Sequence, residues 1–245
     1  MTDTPDTVAD VRARVDRLRA NLPRSIDAAA LGVKPKAPFQ PLCTREALIW
    51  RTEELARTAC DALARDDFAA AAILTRAVTE NAALAWKLLE VLEARERYTP
   101  KQLSEILMRM LAGSKSWPET PNPFHVLDCL RKMDKEIPGV FACYESLSEI
   151  AHPNWAGVAG LYSKNDKATF TAYFGRNLRG VDSSRGMITN AMIGSLDAFE
   201  YAYNRISELM PAFLSELESI WPDTDKLNPT GTPPGDDEPP GGPRN

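Results

Sequence analysis

The chain has 245 residues, of which 44% are hydrophobic and 26% charged, and this balance is typical of a globular protein with a buried core. The formal net charge of −5 argues against an attraction of the whole surface to nucleic acid or acidic lipid, although it leaves room for a local basic patch. No run approaches the roughly 18 apolar residues that span a bilayer, and the acidic start lacks the pattern of a secretory signal. We therefore expect a cytoplasmic protein that has no contact with a membrane.

The chain contains four cysteines and two histidines. The cysteines are far apart in the sequence and form no Cys-x-x-Cys pair, so we expect reduced thiols in the core of an intracellular protein. A structural zinc site requires closely spaced cysteine or histidine ligands, and the sequence offers none. The prediction is a protein with no metal site and no cofactor. The four cysteines are Cys43, Cys60, Cys129 and Cys143.

Apolar residues recur at alternating steps of three and four over residues 7–22, which is the spacing of an amphipathic helix. The stretch after it contains Pro35, Pro38 and Pro41, and proline fixes φ and donates no backbone hydrogen bond. We therefore expect an extended connector and treat residues 1–43 as an arm. The arm would pack on the body of the chain or on a second subunit, and the second case would give a homodimer.

Helical spacing of apolar residues continues through most of the chain from Thr44 to about Ile220. This predicts a mainly α fold, a helical bundle over residues 44–222, with Pro211 expected to kink or divide the last helix. The tail over residues 223–245 is rich in proline and glycine, and we expect it to be disordered. The predicted helices cover residues 44–65, 68–97, 99–113, 123–136, 139–151 and the segment that starts at about Ser183.

Residues 157–175 break the helical spacing, since polar and apolar side chains alternate there next to the polar run KNDK. A period of two beside a polar turn predicts a small β-hairpin inserted in the bundle. Arg176 and Arg179 follow the hairpin, close in sequence to the aromatic Tyr173 and Phe174. Basic residues interleaved with aromatic ones can bind single-stranded RNA, and a solvated basic rim is the alternative interpretation.

On a helical wheel of residues 68–97, Arg76 and Glu80 lie at the border of a broad apolar face. Their spacing of four residues allows an ordinary surface ion pair worth about 0.3–0.5 kcal/mol, and it equally allows a functional pair placed at the edge of the core. Asn81 falls inside the apolar face, and a buried amide needs hydrogen-bond partners. These three residues are candidates for a site, with Asn81 as a binding residue.

The segment from Tyr144 to Asn154 is the most informative stretch of the sequence. Tyr144 belongs to the inward face of its predicted helix, while Ser148 and His152 stack four residues apart on the flank. His152 also ends the helix, where the macrodipole favours a charged imidazolium. The imidazole could serve as a general acid, as a cation for phosphate, or as a structural cap of the turn that contains Asn154. The chemical and the structural interpretations are both open at this point.

The alanine-rich segment LTRAVTENAALAWKLLE carries Arg76 and Glu80, and a Tyr-x-x-Leu-Ser-Glu-x-x-His-Pro-Asn run follows later, before the hairpin. Together they resemble a group of prokaryotic helical proteins related to the HEPN class, over residues 44–220. The resemblance implies a helical bundle that is often dimeric. Many members of the wider class are RNases in toxin or defence systems, while others bind nucleotides or act as scaffolds.

Active HEPN ribonucleases carry Arg-x(4–6)-His on one helix, and this chain departs from that pattern. No arginine occupies the required positions before His152 or before His125. The resemblance therefore does not imply RNA cleavage through that motif, unless Arg76 meets His152 across two packed helices and supplies the phosphate-binding charge. The positions in question hold Glu145, Ser146 and Leu147 before His152, and Pro118, Glu119 and Thr120 before His125.

Two hypotheses follow, and whether the chain is an enzyme stays open between them. In the first, an RNA- or nucleotide-directed HEPN-like protein has an open pocket that holds four candidate catalytic residues. In the second, the same four residues form a closed hydrogen-bonded network in a non-catalytic interaction or scaffold protein. The exposure of His152 and the width of any cleft beside it distinguish the two hypotheses. The candidate catalytic residues are Arg76, Glu80, Ser148 and His152, and the candidate binding residues are Asn81, Tyr144, Asn154, Arg176 and Arg179.

Overall fold

The computed structural model describes residues 7–27 and 39–220. These residues form seven α-helices, a 3-10 turn at Arg95–Arg97, a π-helical turn at Ala156–Gly160 and one two-stranded antiparallel sheet. The predicted fold class, mainly α with a small β-hairpin, is therefore confirmed. The helices are α1 (Val8–Ala20), α2 (Phe39–Ala64), α3 (Phe68–Glu93), α4 (Pro100–Ala112), α5 (Val126–Glu136), α6 (Val140–Ala151) and α7 (Asp182–Ile220), and the strands are β1 (Ser163–Asp166) and β2 (Thr171–Phe174).

Helix α3 lies at the centre of the bundle, where α2, α4, α5, α6 and α7 all pack against it. The sequence predicts one apolar face, but the helix is buried on nearly all sides, because small side chains such as Ala71, Ala82 and Ala85 let its neighbours approach closely. Ile73 is an exception, since this large apolar side chain is exposed. The central position of α3 brings its polar side chains to the junctions with several other helices.

Helix α1 packs on the body of its own chain, against α2 and α7. It begins with a capping box, in which the Thr7 hydroxyl accepts a hydrogen bond from the Asp10 backbone N–H and the Asp10 carboxylate accepts one from the Thr7 N–H. The apolar stripe Val11, Val15 and Leu18 is buried in the main core. Of the two placements predicted for the arm, the structure shows packing on the body.

Helix α2 begins at Phe39, five residues before the predicted start, so the expectation of an extended connector is wrong for residues 39–43. The reason is the position of Pro41 in the first turn, where a backbone N–H would have no partner within the helix. Residues 28–38 of the predicted arm, and the tail over residues 223–245 that was expected to be disordered, lie outside the described residues.

Helix α7 continues through Pro211 as one helix, so the proline does not divide it. Met210 and Phe213, on either side of the proline, are buried in the core, and this packing holds both parts of the helix in place. Across residues 7–27 and 39–220, no helix combines the length and the apolar character needed to cross a membrane.

The four cysteines are free thiols, as the sequence predicts. Cys60 and Cys129 are buried, and burial raises the pKa of both thiols. Cys43 is half-buried. Cys143 is exposed on α6, so the expectation of a core position is wrong for this residue.

The hairpin starts later than predicted, because residues 156–160 form the π-helical turn and not a strand. Gly157 permits this tight turn, since a Cβ atom there would lie 2.2 Å from the His152 carbonyl oxygen. The register pairs Lys164 with Tyr173. Most of the KNDK run therefore lies in β1, and the connecting turn covers residues 167–170, where the Asp166 carboxylate accepts a hydrogen bond from the Ala168 N–H.

Candidate functional site

Helix α6 carries Tyr144, and the start of this helix is fixed by the loop before it. Asp134, near the end of α5, accepts hydrogen bonds of 3.0 Å from the backbone N–H groups of Gly139 and Phe141. Gly139 has a φ of 98°, in the left-handed region that glycine adopts without strain. A carboxylate at a helix N-terminus satisfies its free donors and interacts favourably with the helix dipole. The loop therefore sets the orientation of α6 against α3.

Arg76 and Glu80 of α3 meet Tyr144 of α6 in a hydrogen-bonded group that we call the α3–α6 network. The Arg76 Nη2 donates to the Tyr144 hydroxyl at 2.8 Å, and that hydroxyl donates to the Glu80 Oε1 at 3.0 Å. The guanidinium and the carboxylate also form an ion pair at 3.5 Å, and the guanidinium carbon lies 5.0 Å from the centroid of the Tyr144 ring. The buried tyrosine hydroxyl thus both accepts and donates within the network.

Ser148 and His152 lie outside the α3–α6 network. The Ser148 hydroxyl donates to the carbonyl oxygen of Tyr144 on its own helix, at 2.8 Å. His152 ends α6 with an extended backbone, and its side chain is exposed. Over the described ranges, the imidazole forms neither a hydrogen bond nor an ion pair, with Arg76 or with any other residue. The four predicted catalytic residues are therefore not joined to one another by hydrogen bonds in one cluster.

The turn after α6 is held by backbone groups and by the side chain of Asn154. The His152 N–H donates to the Ser148 carbonyl oxygen at 3.0 Å, and the His152 carbonyl accepts from the Asn154 N–H at 2.8 Å. The Asn154 side chain donates to the Glu149 carboxylate and accepts from the Gly157 N–H at 3.1 Å. Asn154 therefore stabilises the turn through its side chain, and His152 stabilises the turn through its backbone.

Asn81 is buried, and the predicted need for hydrogen-bond partners is confirmed. Its amide donates to the Thr52 hydroxyl at 3.2 Å, and its carbonyl oxygen accepts from the Arg51 Nε at 3.1 Å. Both partners belong to α2, whereas Arg76 and Glu80 face α6. Asn81 is thus part of a separate contact between α2 and α3.

The arginines after the hairpin have different surroundings. Arg176 forms an ion pair with Asp67 at the start of α3. Arg179 donates to the Ser163 carbonyl oxygen at 2.9 Å, and its guanidinium carbon lies 5.6 Å from the centroid of the Trp155 ring. Arg179 makes no ion pair in the part of the chain that the structure describes. Of these two arginines, both predicted as binding residues, Arg179 is the one whose positive charge is not paired with a carboxylate of the described residues.

A second group of the same residue types, which we call the α2–α7 network, was not predicted. The Tyr203 hydroxyl donates to the Glu46 Oε2 at 2.6 Å, and Glu46 forms an ion pair with the adjacent Arg45. The Arg45 guanidinium carbon lies 3.5 Å from the Tyr203 ring centroid, and its Nε donates to the Tyr203 carbonyl oxygen at 2.9 Å. Burial and the hydrogen bond to Glu46 raise the pKa of Tyr203.

The largest surface feature missing from the prediction is a group of exposed apolar side chains on and around the hairpin. Phe170 is 96% exposed and Phe174 is 80% exposed, and all four residues of β2 are exposed. The sequence signal is the presence of apolar side chains on both faces of a sheet with only two strands, since such a sheet cannot bury both faces. We call this group the hairpin patch: Trp155, Val158, Tyr162, Phe170, Tyr173 and Phe174.

Three cavities are described, and none of them is lined by a residue of the α3–α6 network, by Ser148 or by His152. A cavity of 290 Å³ lies at the start of α3, beside Tyr162 and Arg176. A cavity of 420 Å³ lies beside Trp86 and Tyr201. Within residues 7–27 and 39–220, no group of three or more histidine, cysteine or acidic side chains is arranged to hold a metal ion.

Comparison of the chain with protein-family models, with curated proteins and with solved structures finds no match to any of them.

Proposed function

We propose that this chain is a non-catalytic helical interaction protein, in which the bundle is a rigid body and the hairpin patch is the surface that contacts a partner. The observation that carries the proposal is that the α3–α6 network pairs its own charges. Arg76 donates to the Tyr144 hydroxyl, that hydroxyl donates to Glu80, and the guanidinium and the carboxylate form an ion pair, while the buried Arg76 Nε has no hydrogen-bond partner among the described residues. Such a network stabilises the contact between two helices without any ligand.

The α2–α7 network supports this interpretation. It combines the same three residue types between another pair of helices, with a tyrosine hydroxyl bonded to a glutamate and an arginine beside the ring. An arrangement that recurs between two different helix pairs is explained most simply as a way of joining helices. The α3–α6 network then requires no catalytic role.

The exposure of His152 is what the RNA-directed hypothesis expects, but the imidazole lacks the partners that a catalytic histidine requires. A histidine that transfers protons in catalysis is held in hydrogen-bond reach of the group it serves, and a second group commonly orients it. The His152 imidazole is exposed and makes no hydrogen bond to the residues of the described ranges. Ser148, one helical turn away, uses its hydroxyl within its own helix.

The hairpin patch supports the second half of the proposal. A cluster of large apolar side chains on the surface is unfavourable in water, and such clusters commonly mark sites of interaction. The aromatic side chains of the hairpin take no part in the two hydrophobic cores of the bundle. Stability of the bundle therefore does not explain their presence.

The experiment expresses wild type, His152→Ala and Arg76→Met in the same host and measures growth and the integrity of total RNA. The proposal expects equal growth and intact RNA in all three cultures, with soluble protein in each. Lys101→Ala, an exposed cation on α4, is the matched control. Growth arrest or RNA breakdown that wild type and the control cause, and that both site variants lose, would overturn the proposal.

A second candidate function is the RNA-directed, HEPN-like one, in a cytoplasmic toxin or defence setting and with a homodimer as its active form. One observation favours it, namely two positive side chains beside exposed aromatic ones: Lys164 opposite Tyr173 in the sheet, and Arg179 beside Trp155. The RNA measurement above tests cleavage. Sedimentation velocity of the purified chain tests the homodimer, which would sediment at twice the monomer mass of 27.1 kDa.

A further inference from the structure

We propose that the hairpin patch binds single-stranded RNA, through stacking of bases on its aromatic side chains and through contact of phosphates with Lys164, Lys167 and Arg179. This inference rests on the proposed function, because it names the partner of the interaction surface. It involves no cleavage of the RNA.

The first step is the exposure of the aromatic rings. A base can stack on a ring only when a face of that ring is open to solvent, and Phe170, Tyr173 and Phe174 are all exposed. Phe170 lies in the turn, and β2 carries Tyr173 on one face and Phe174 on the other. The rings therefore offer stacking positions in the turn and on both faces of one hairpin.

The second step is the position of the positive charges. Lys164 lies directly opposite Tyr173 in the antiparallel register, so the two side chains stand on the same face of the sheet. A base stacked on the Tyr173 ring would bring its phosphate close to the Lys164 ammonium. Arg179 lies beside the exposed Trp155 ring and repeats this combination of a cation and an aromatic plane.

The third step is charge complementarity in a chain with a net charge of −5. Lys164, Lys167 and Arg179 form no ion pair with a carboxylate of the described residues. Asp166 lies between the two lysines in the sequence and interacts with Lys164, so it offsets part of their charge, and these four groups together keep a net positive charge. This short strip of positive charge beside aromatic rings therefore suits a flexible polyanion with exposed bases.

The shape of this strip favours an RNA strand over a membrane. An anionic bilayer presents a broad flat surface, and the net charge of −5 on the chain opposes the close approach of such a surface. A single strand follows a narrow path, and charges more than about 8 Å away are screened at physiological ionic strength. RNA also presents unpaired bases in loops, bulges and ends.

The binding experiment uses the full chain and a fluorescein-labelled 12-nucleotide oligouridine, with fluorescence anisotropy as the readout. Tyr173→Ala and Phe174→Ala are each expected to weaken binding roughly 5- to 100-fold, because each removes one stacking position. The matched control is Trp117→Ala, which removes an exposed aromatic ring on the loop between α4 and α5 and is expected to leave the affinity unchanged. Far-UV circular dichroism confirms that each variant keeps the helical bundle.

Salt dependence tests the cations separately. A single strand that contacts three cations gives a slope of log K against log salt of about −2, since each contact contributes about −0.7. The double variant Lys164→Gln/Arg179→Gln is expected to reduce this slope by about 1.4, whereas the control Lys101→Gln leaves it unchanged. An RNA duplex of the same length is expected to bind at least 10-fold more weakly, because its bases are not free to stack on the rings.

Three results would overturn this inference: no binding of the oligouridine by the folded wild type, equal binding by the Tyr173→Ala variant, or equal affinity for the duplex. Vesicles of phosphatidylcholine and phosphatidylserine distinguish the failure of this inference from that of the proposed function. Binding to vesicles that depends on Tyr173 and Phe174, without binding to RNA, overturns the RNA partner and leaves the hairpin patch as an interaction surface. The growth and RNA-integrity experiment tests the non-catalytic function independently.

Discussion

The α2–α7 network and the α3–α6 network use the same residue types in different surroundings. The side chains of Arg45 and Glu46 are 11% and 14% exposed, whereas those of Arg76 and Glu80 are 31% and 30% exposed. The exposure of the two tyrosines follows the opposite order: Tyr144 of the α3–α6 network is buried, and Tyr203 of the α2–α7 network is half-buried. Removing one member of an ion pair costs more when water cannot reach the charge left behind. The stability of the bundle should therefore depend more on the α2–α7 network.

The largest expected effect is that of Arg45→Met. The substitution leaves the poorly exposed Glu46 carboxylate with the Tyr203 hydroxyl as its remaining partner, and we expect a loss of about 3 kcal/mol in the free energy of unfolding. Urea denaturation followed by circular dichroism measures it. Arg12→Met is the control, since it breaks an exposed ion pair with Asp61 and should cost less than about 1 kcal/mol. A loss for Arg45→Met as small as that of the control would contradict the prediction.

The next largest effect is a decrease in the free energy of unfolding at alkaline pH. Because the pKa of Tyr203 is raised in the folded protein, the unfolded chain loses this proton first as the pH rises. The stabilising contribution is complete below the unfolded pKa of about 10 and is lost above it, by up to roughly 1.4 kcal/mol per pH unit. Urea denaturation at pH 9, 10 and 11 should show this loss in wild type and a smaller one in Tyr203→Phe. Parallel pH profiles for the two proteins would show that the tyrosine does not cause the loss.

Arg76→Met should cost about 1 kcal/mol, which is the typical contribution of a hydrogen bond whose remaining partners stay accessible to water. Glu80 keeps the Tyr144 hydroxyl as a donor and is partly solvated. The same denaturation experiment measures the loss beside Arg45→Met. If the two arginine variants lose equal stability, the difference in exposure does not determine the contribution of the networks.

The smallest effect is expected for His152→Ala, at most about 0.5 kcal/mol in either direction, because the side chain is exposed and makes no hydrogen bond within residues 7–27 and 39–220. Asn154→Ala is the comparison within the same turn, and it should cost about 1 kcal/mol because its side chain accepts from the Gly157 N–H. A loss above 1.5 kcal/mol for His152→Ala would show that the imidazole makes a structural contact.

Much of the helical bundle could be predicted, because helical spacing is a local property of the sequence. Thr99 and Pro100 predict the start of α4, and the structure shows Thr99 as its N-cap. The inward position of Tyr144 and the border position of Arg76 and Glu80 follow from the same spacing. The start of α2 was less predictable, because Pro41 is compatible both with an extended chain and with the first turn of a helix.

The α2–α7 network could not be predicted in this way, because Arg45 and Tyr203 are 158 positions apart and no local spacing relates them. The burial of the hairpin could not be predicted for a different reason. Alternation of side chains predicts a strand, but burial depends on whether another element covers the sheet. No element within residues 7–27 and 39–220 covers β2, and its four residues are all exposed.

The packing of α7 along α3 also has a consequence for the order in which the protein can fold during synthesis. The ribosome releases α3 long before α7, which begins at Asp182. Val78, Ala82 and Leu88 of α3 are completely buried in the finished protein, where α7 is a principal neighbour of that helix. Until α7 emerges, one side of the central helix is open to water and to other nascent chains. A chain stopped before residue 182 should therefore aggregate or be captured by chaperones.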